Sequence, residues 1–172
     1  MLSRTSFKHK TLTPAAFLRK PRPISQDDIL DIWNYEPTMT YAGFDCNDAT
    51  RDRLRQALLD HLDEVQLCYD WIIRQHVGKM VTYRDHSSYF LKHCVEFATV
   101  RSPLDYTYVS NGSFICAALI AKVPYKKIPS APEAQLAIRG DRRNQKKHWQ
   151  DPSVSWAKGY AEFAPLYVEV QR

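Results

Sequence analysis

Glycine is scarce, with five in 172 residues. No G-x-x-x-x-G-K-[ST], G-x-G-x-x-G or G-x-S-x-G occurs, which argues against P-loop, dinucleotide-binding and nucleophile-elbow enzymes. No apolar run approaches 18 residues, so no transmembrane helix is expected. The four cysteines, Cys46, Cys68, Cys94 and Cys116, form no C-x-x-C pair, and a zinc ribbon needs close ligand pairs. Residues 1–22 lack the continuous apolar core of a secretory signal. The cysteines therefore read as reduced, mostly buried thiols of a cytoplasmic protein. Residues 1–22 also lack any acid, a trait shared by mitochondrial presequences and by simple basic arms.

What is present is an ordinary globular composition: 44% hydrophobic and 25% charged. The net charge of +5 is unevenly laid out. Residues 1–22 carry six basic side chains, residues 23–121 carry eight basic and fourteen acidic ones, and residues 122–147 carry eight basic and two acidic ones. Two basic segments thus flank an acidic body. Segregated Lys and Arg suit a polyanion partner, because contact with phosphates releases counterions. They also suit docking back onto the acidic middle of the chain.

The hydrophobic pattern predicts a mostly α protein: a basic arm over residues 1–24, then one helical domain over 25–172. Ser25, Asp27 and Asp28 open a short helix through Ile29, Leu30, Ile32 and Trp33 that ends before Pro37. Leu54, Leu58, Leu62, Val65, Tyr69 and Ile72 recur every three or four residues, which predicts one long amphipathic helix over about 48–77. Asn47 or Asp48 would cap it and Gly78 would stop it. A second helix is expected over about 86–100, opened by Asp85 or Ser87 and lined by Tyr89, Phe90, Cys94, Phe97 and Ala98. Leu91 and Val95 lie off that stripe and imply burial on another side. A third, over about 110–122, is capped by Ser110 and apolar all round from Phe114 to Ala121, so it should be central. Short helices are expected at 134–139 and 154–163, a short strand or extended link at 104–109, and a strand or docking tail at 166–170.

Four chemistries are worth testing on these residues. Residues 86–122 give helix, connection, helix, but the connection at 101–109 is too long for a helix-turn-helix, and FICAALIA has almost nothing to read base edges with. Asp85, His86, His93 and Glu96 fall close together, and His61 with Glu64 repeats the His-x-x-Glu spacing. A bundle metal site usually runs Glu-x-x-His, and a His followed by Glu one turn later is more often a surface pair. Lys92 with Glu96 reads as an exposed i, i+4 pair. Cys94 beside His93 cannot form a dyad, because helix neighbours point about 100° apart. No catalytic residue, metal or cofactor is therefore expected. The fourth chemistry is polyanion binding. Lys126, Lys127, Arg139, Arg142, Arg143, Lys146 and Lys147 are interleaved with Tyr125, His148 and Trp149, the mixture that backbone-tracking nucleic-acid sites use. Alternatively, Lys122, Lys126 and Lys127 simply neutralise the negative end of the third helix.

The stretch from His86 to Ala98 and that from Tyr108 to Ala121 carry "S-Y-x-L-K-H-x-x-E" followed by "Y-V-S-N-G-x-F-I-x-A-A". This pattern resembles one in small accessory proteins of conjugative plasmids and integrative mobile elements. It spans about forty residues and implies a mobile-element protein of a bacterial cytoplasm, with no activity transferred to any residue. In that pattern a glycine often follows the second helix, where this chain has Ala121-Lys122-Val123-Pro124. Physically, Asn111-Gly112 would let the third helix approach a neighbour closely.

Three functions compete. The first is a non-enzymatic accessory or regulatory protein acting through nucleic-acid binding by its basic segments. The second is a protein-binding inhibitor or adaptor using an acidic helix face of Asp60, Asp63, Glu64 and Asp70. The third is an enzyme with a metal at His86, His93 and Glu96. The charge layout favours the first.

Overall fold

The computed structural model describes residues 20–44, 47–99 and 108–139. About half of these are helical, in five helices with short paired strands between them, so the fold is mostly α as expected. The elements are α1 (Gln26–Tyr35), β1 (Met39–Thr40), β2 (Gly43–Phe44), α2 (Asp48–Asp60), α3 (Leu62–Ile72) and β3 (His76–Val77), then α4 (Ser88–Thr99), α5 (Asn111–Ile120), β4 (Tyr125–Lys127), β5 (Ala134–Leu136) and β6 (Ile138–Arg139). Strands β1 and β2 form a hairpin, β3 pairs antiparallel with β6, and β4 with β5.

Helix α5 is the centre. Every residue from Asn111 to Leu119 is buried, and α1, α3, α4 and the β1–β2 hairpin all pack on it. This follows from a helix with no polar face. Ser110 caps it, its Oγ accepting from the Ser113 N–H at 2.9 Å. Trp71 meets Phe114 edge to face at 6.0 Å, and Ile29, Met39, Leu58, Ile72, Leu91, Ile115, Leu136 and Ile138 complete the core.

The long helix expected over 48–77 is two helices. His61 leaves the helical conformation at φ −109°, ψ 45°, its Nδ1 lies 2.8 Å from the Ala57 carbonyl, and the Tyr41 ring packs against its imidazole. Only Leu58 is buried on α2, whereas α3 buries Glu64, Val65, Cys68, Tyr69, Trp71 and Ile72. The single-residue break inserts nothing, so the apolar spacing runs through it unaltered. Helix α3 also stops at Ile72. Tight turns follow, with Arg74 N–H on Trp71 O and Gln75 N–H on Ile72 O, before His76 pairs with Arg139.

Two further expectations change. Residues 134–139 are strands β5 and β6, not a helix, because Ala134, Leu136 and Ile138 alternate into the core. On α4 the buried stripe is Leu91, Cys94 and Val95, and Tyr89 is 51% exposed. The helix packs by the side that carries the aliphatic residues. Residues 104–107 of one expected strand, and all of 154–163 and 166–170, lie outside the described residues.

Residues 20–24 run along α3. The Ile24 N–H donates to Gln66 Oε1 at 2.7 Å, Gln66 Nε2 donates to Arg22 O, and Tyr69 Oη donates to Lys20 O at 3.1 Å. Arg22 sits over the Tyr69 ring and pairs with Asp28 on α1 at 2.6 Å. The Arg22 hydrogen bond holds the Asp28 carboxyl down at about 2.

Candidate nucleic-acid interface and the polar cluster at the head of α5

The seven cations expected to bind nucleic acid part company. Arg142, Arg143, Lys146 and Lys147 lie outside the described residues. Lys126 and Lys127 stand exposed on β4. Lys127 is nevertheless committed: Nζ is 2.5 Å from Glu36 Oε2 and 4.5 Å from the Phe44 ring centroid. Glu36 also accepts from the Tyr125 hydroxyl, and burial followed by that bond pushes the Tyr125 phenol well up.

Arg139 is more deeply tied. Its Nε donates to Asp85 Oδ1 at 2.8 Å and an Nη to Met80 O at 3.0 Å. The Asp85 side chain is only 1% exposed and also takes the Thr82 N–H at 2.6 Å. Burial drives the Asp85 carboxyl up, but Arg139 and Thr82 outweigh it and hold it below the usual range. Gly78 makes room for this pair, since a Cβ there would come within 2.7 Å of the guanidinium. Arg139 therefore fastens the 79–85 loop to β6, and its charge is spent on that bond.

The described fold is electrically balanced, with thirteen Lys and Arg against thirteen Asp and Glu. The whole +5 surplus falls on the other residues, mainly 1–19, with four basic side chains and no acid, and 140–147, with four basic and one acid.

The residues of the two-part sequence pattern converge at the start of α5. Glu64 of α3 is buried and accepts from the Tyr41 hydroxyl at 2.8 Å and the Ser110 N–H at 2.9 Å. Burial, then Glu64, pushes the Tyr41 phenol strongly up. Glu96 of α4 accepts from the neighbouring Val109 N–H at 2.8 Å, from Lys92 at 2.9 Å and from His93 Nδ1 at 2.5 Å. Lys92 is only 4% exposed, with its ammonium 5.1 Å from both the Tyr89 and Tyr108 ring centroids, so it is not the exposed pair the spacing suggested. The two tyrosine rings attract its charge through their faces. Asn111 is the hub below. Its Oδ1 accepts from Ser88 Oγ at 2.8 Å, its Nδ2 donates to Pro132 O at 3.0 Å, and Ser88 Oγ accepts from the Ala134 N–H. Gly112 packs on the hairpin, where a Cβ would fall 2.0 Å from Thr40 O.

The residues of the metal reading have other partners in the described fold. Glu96 is filled by three donors, His86 stacks on Phe90 at 4.5 Å, and Asp85 belongs to Arg139. Among the described residues, no group of three or more His, Cys, Asp and Glu side chains is placed to hold a metal. Cys68, Cys94 and Cys116 are buried thiols, and Cys46 lies outside the described residues. The acidic face proposed on the long helix loses Glu64 to the interior. Sequence reasoning missed Tyr41 as the partner of Glu64, and Gln66 and Tyr69 as the seat of residues 20–24. No local motif marks either, because both join residues at least 23 positions apart.

No protein-family model matches the chain, and no curated protein or solved structure matches it either. Among the described residues, no helix is long and apolar enough to cross a membrane.

Proposed function

We propose that this is a small non-enzymatic accessory protein of a mobile genetic element, working in the cytoplasm and binding nucleic acid through the basic residues that flank its fold. One observation carries this reading: the described fold is charge-neutral, while the cationic surplus is concentrated in 1–19 and 140–147. A cationic tract attached to a neutral body attracts phosphates without self-repulsion in the body. Lys126 adds an exposed cation, whereas Lys127 and Arg139 serve the fold first. The resemblance of the pattern around Ser88–Glu96 and Tyr108–Ala118 to accessory proteins of conjugative elements supports the setting.

The test is a titration of the full chain against short single- and double-stranded DNA and RNA at two salt concentrations. The expected result is binding that weakens steeply with salt and falls when Arg142, Arg143, Lys146 and Lys147 become Ala. No binding at low salt overturns the proposal and leaves a protein partner as the reading to pursue.

A further inference from the structure

The loop between β3 and α4 is tied down along its backbone, yet it leaves its largest side chains in water. The Gly78 N–H donates to Ala137 O at 2.7 Å, and an Arg139 Nη donates to Met80 O at 3.0 Å. Gln135 Nε2 donates to Thr82 O at 3.0 Å and to Asp85 O at 2.9 Å. Thr82 O also accepts from the Asp85 N–H at 3.1 Å, which closes Thr82–Asp85 into a four-residue turn. None of residues 79–84 is buried, so these bonds and the Asp85–Arg139 pair hold the loop in shape, not apolar packing. Tyr83 and Arg84 are the two central residues of the turn and stand at its tip. Tyr83 is 84% exposed, and Met80 is the next most exposed large apolar side chain among the described residues. The Arg84 guanidinium lies over the Tyr83 ring, 5.2 Å from its centroid, and its Nε donates to the hydroxyl at 2.8 Å. That contact steadies the ring from one side and leaves its other face open.

Charge says what would cover that face. From residue 71 to residue 95 the chain has one carboxylate, Asp85, and it is enclosed by Arg139 and Thr82. The loop's own cations, Lys79 and Arg84, are both exposed. An open aromatic ring with cations before and after it in the same short loop matches a nucleobase with its flanking phosphates. Within a duplex the base faces are stacked on one another, so only an unpaired base is free to lie on the ring. A ring already fixed in direction loses little freedom when it is covered.

On the strength of the nucleic-acid reading, we infer that the 79–84 loop is a base-stacking site that makes the protein prefer single strands. An unpaired base lies on the open face of Tyr83, and Lys79 and Arg84 attract the phosphates on either side of it. Basic tracts attract phosphates whether or not the bases are paired. Tyr83 therefore supplies the discrimination between single strands and duplex.

The probes are a twelve-residue thymidine oligonucleotide and a duplex of the same length. Each is titrated against the full chain and its Tyr83→Ala, Tyr83→Phe and Tyr83→Trp variants. Circular dichroism checks that the variants keep the fold, as an exposed position should allow. The native chain should bind the single strand more tightly than the duplex. Tyr83→Ala should weaken the single strand about tenfold and leave the duplex affinity unchanged. It should also leave the salt dependence of single-strand binding unchanged, because no cation is removed. Tyr83→Phe keeps the ring and should keep the affinity. In Tyr83→Trp the added indole fluorescence should be quenched when the oligonucleotide saturates the protein, beyond any change in the native chain. Equal single-strand affinity in Tyr83→Ala and the native chain overturns the stacking site and leaves nucleic-acid binding standing. So does an equal loss on the single strand and the duplex, or a native chain that binds the duplex alone. Binding of neither probe by the native chain rejects both readings at once.

Discussion

The two ends of α3 use charge in opposite ways. At the head, Glu64 and Glu96 are sunk into the fold and hold the consecutive N–H groups of Ser110 and Val109, so that α5 enters the core in one orientation. At the tail, Arg22 and Arg139 pair with Asp28 and Asp85, and further cations follow in sequence just beyond the paired ones. A buried carboxylate on backbone donors orders a chain, and removing it leaves donors without partners. A cation at the edge of a fold can both fasten and attract. Changes at the head should therefore act on stability alone. Changes at the tail should divide into fastening residues, which affect stability, and flank residues, which affect binding.

The sharpest break at the head is Gly112→Ala. Its methyl would sit 2.0 Å from the Thr40 carbonyl and 2.4 Å from that of Tyr41, both backbone atoms that cannot swing aside. The hairpin must separate from α5, and a loss of about 4 kcal/mol or failure to fold is expected, read by denaturant unfolding. At the tail, Arg139→Ala leaves Asp85 buried without its cation and should cost about 2–3 kcal/mol. If Arg139 were mainly a phosphate contact, the variant would keep its stability and lose affinity instead. Both tail carboxyls, Asp28 and Asp85, are held below their ordinary values. The contribution of Asp28 is thus present above pH about 4 and lost as pH falls toward 2, and that of Asp85 is likewise lost as pH falls below the ordinary carboxyl range, because the unfolded chain binds protons first. Unfolding measured from pH 5 to 2 should show a shallower decline in Arg139→Ala, where the share of Asp85 is already gone. Glu64→Gln at the head keeps size but has one oxygen for two donors, Tyr41 Oη and Ser110 N–H. About 2 kcal/mol should be lost, with nucleic-acid binding unchanged.

How much of this was readable in the sequence depends on the range of the interaction. Local signals were reliable: Ser25 and Asn47 precede helices, Ser110 caps one, and the run from Phe114 marks the central helix. The close approach of Gly112 was legible because only glycine tolerates it. The break at His61 was hidden, since it shifts no register in the apolar repeat. The fates of Lys92, Glu64 and Arg139 were hidden as well. A charged residue shows the same letter whether it meets water or a buried partner, and the partners Tyr108, Tyr41 and Asp85 come from distant segments. The site as a basic tract was visible as composition.

The smallest expected effect lies at the exit of α5, far in chemistry from either end of α3. The helix closes with the Lys122 N–H on Leu119 O and the Val123 N–H on Ala118 O, both at 2.9 Å, which is the Schellman arrangement. That motif needs a left-handed residue after the cap, and Lys122 supplies it with φ 55°. A side chain there costs about 1 kcal/mol that glycine avoids, offset in part by the greater freedom of glycine in the unfolded chain. Lys122 is exposed and directly follows the cap of α5, where a cation near the negative helix end contributes about 0.3–1 kcal/mol that glycine would forfeit. Lys122→Gly should thus gain at most about 0.5 kcal/mol at low salt. The gain should grow as salt screens the helix end, and Lys122→Asn should track it, since asparagine tolerates the same backbone. A clear loss of stability in Lys122→Gly at high salt would show that the lysine is held by more than the helix end.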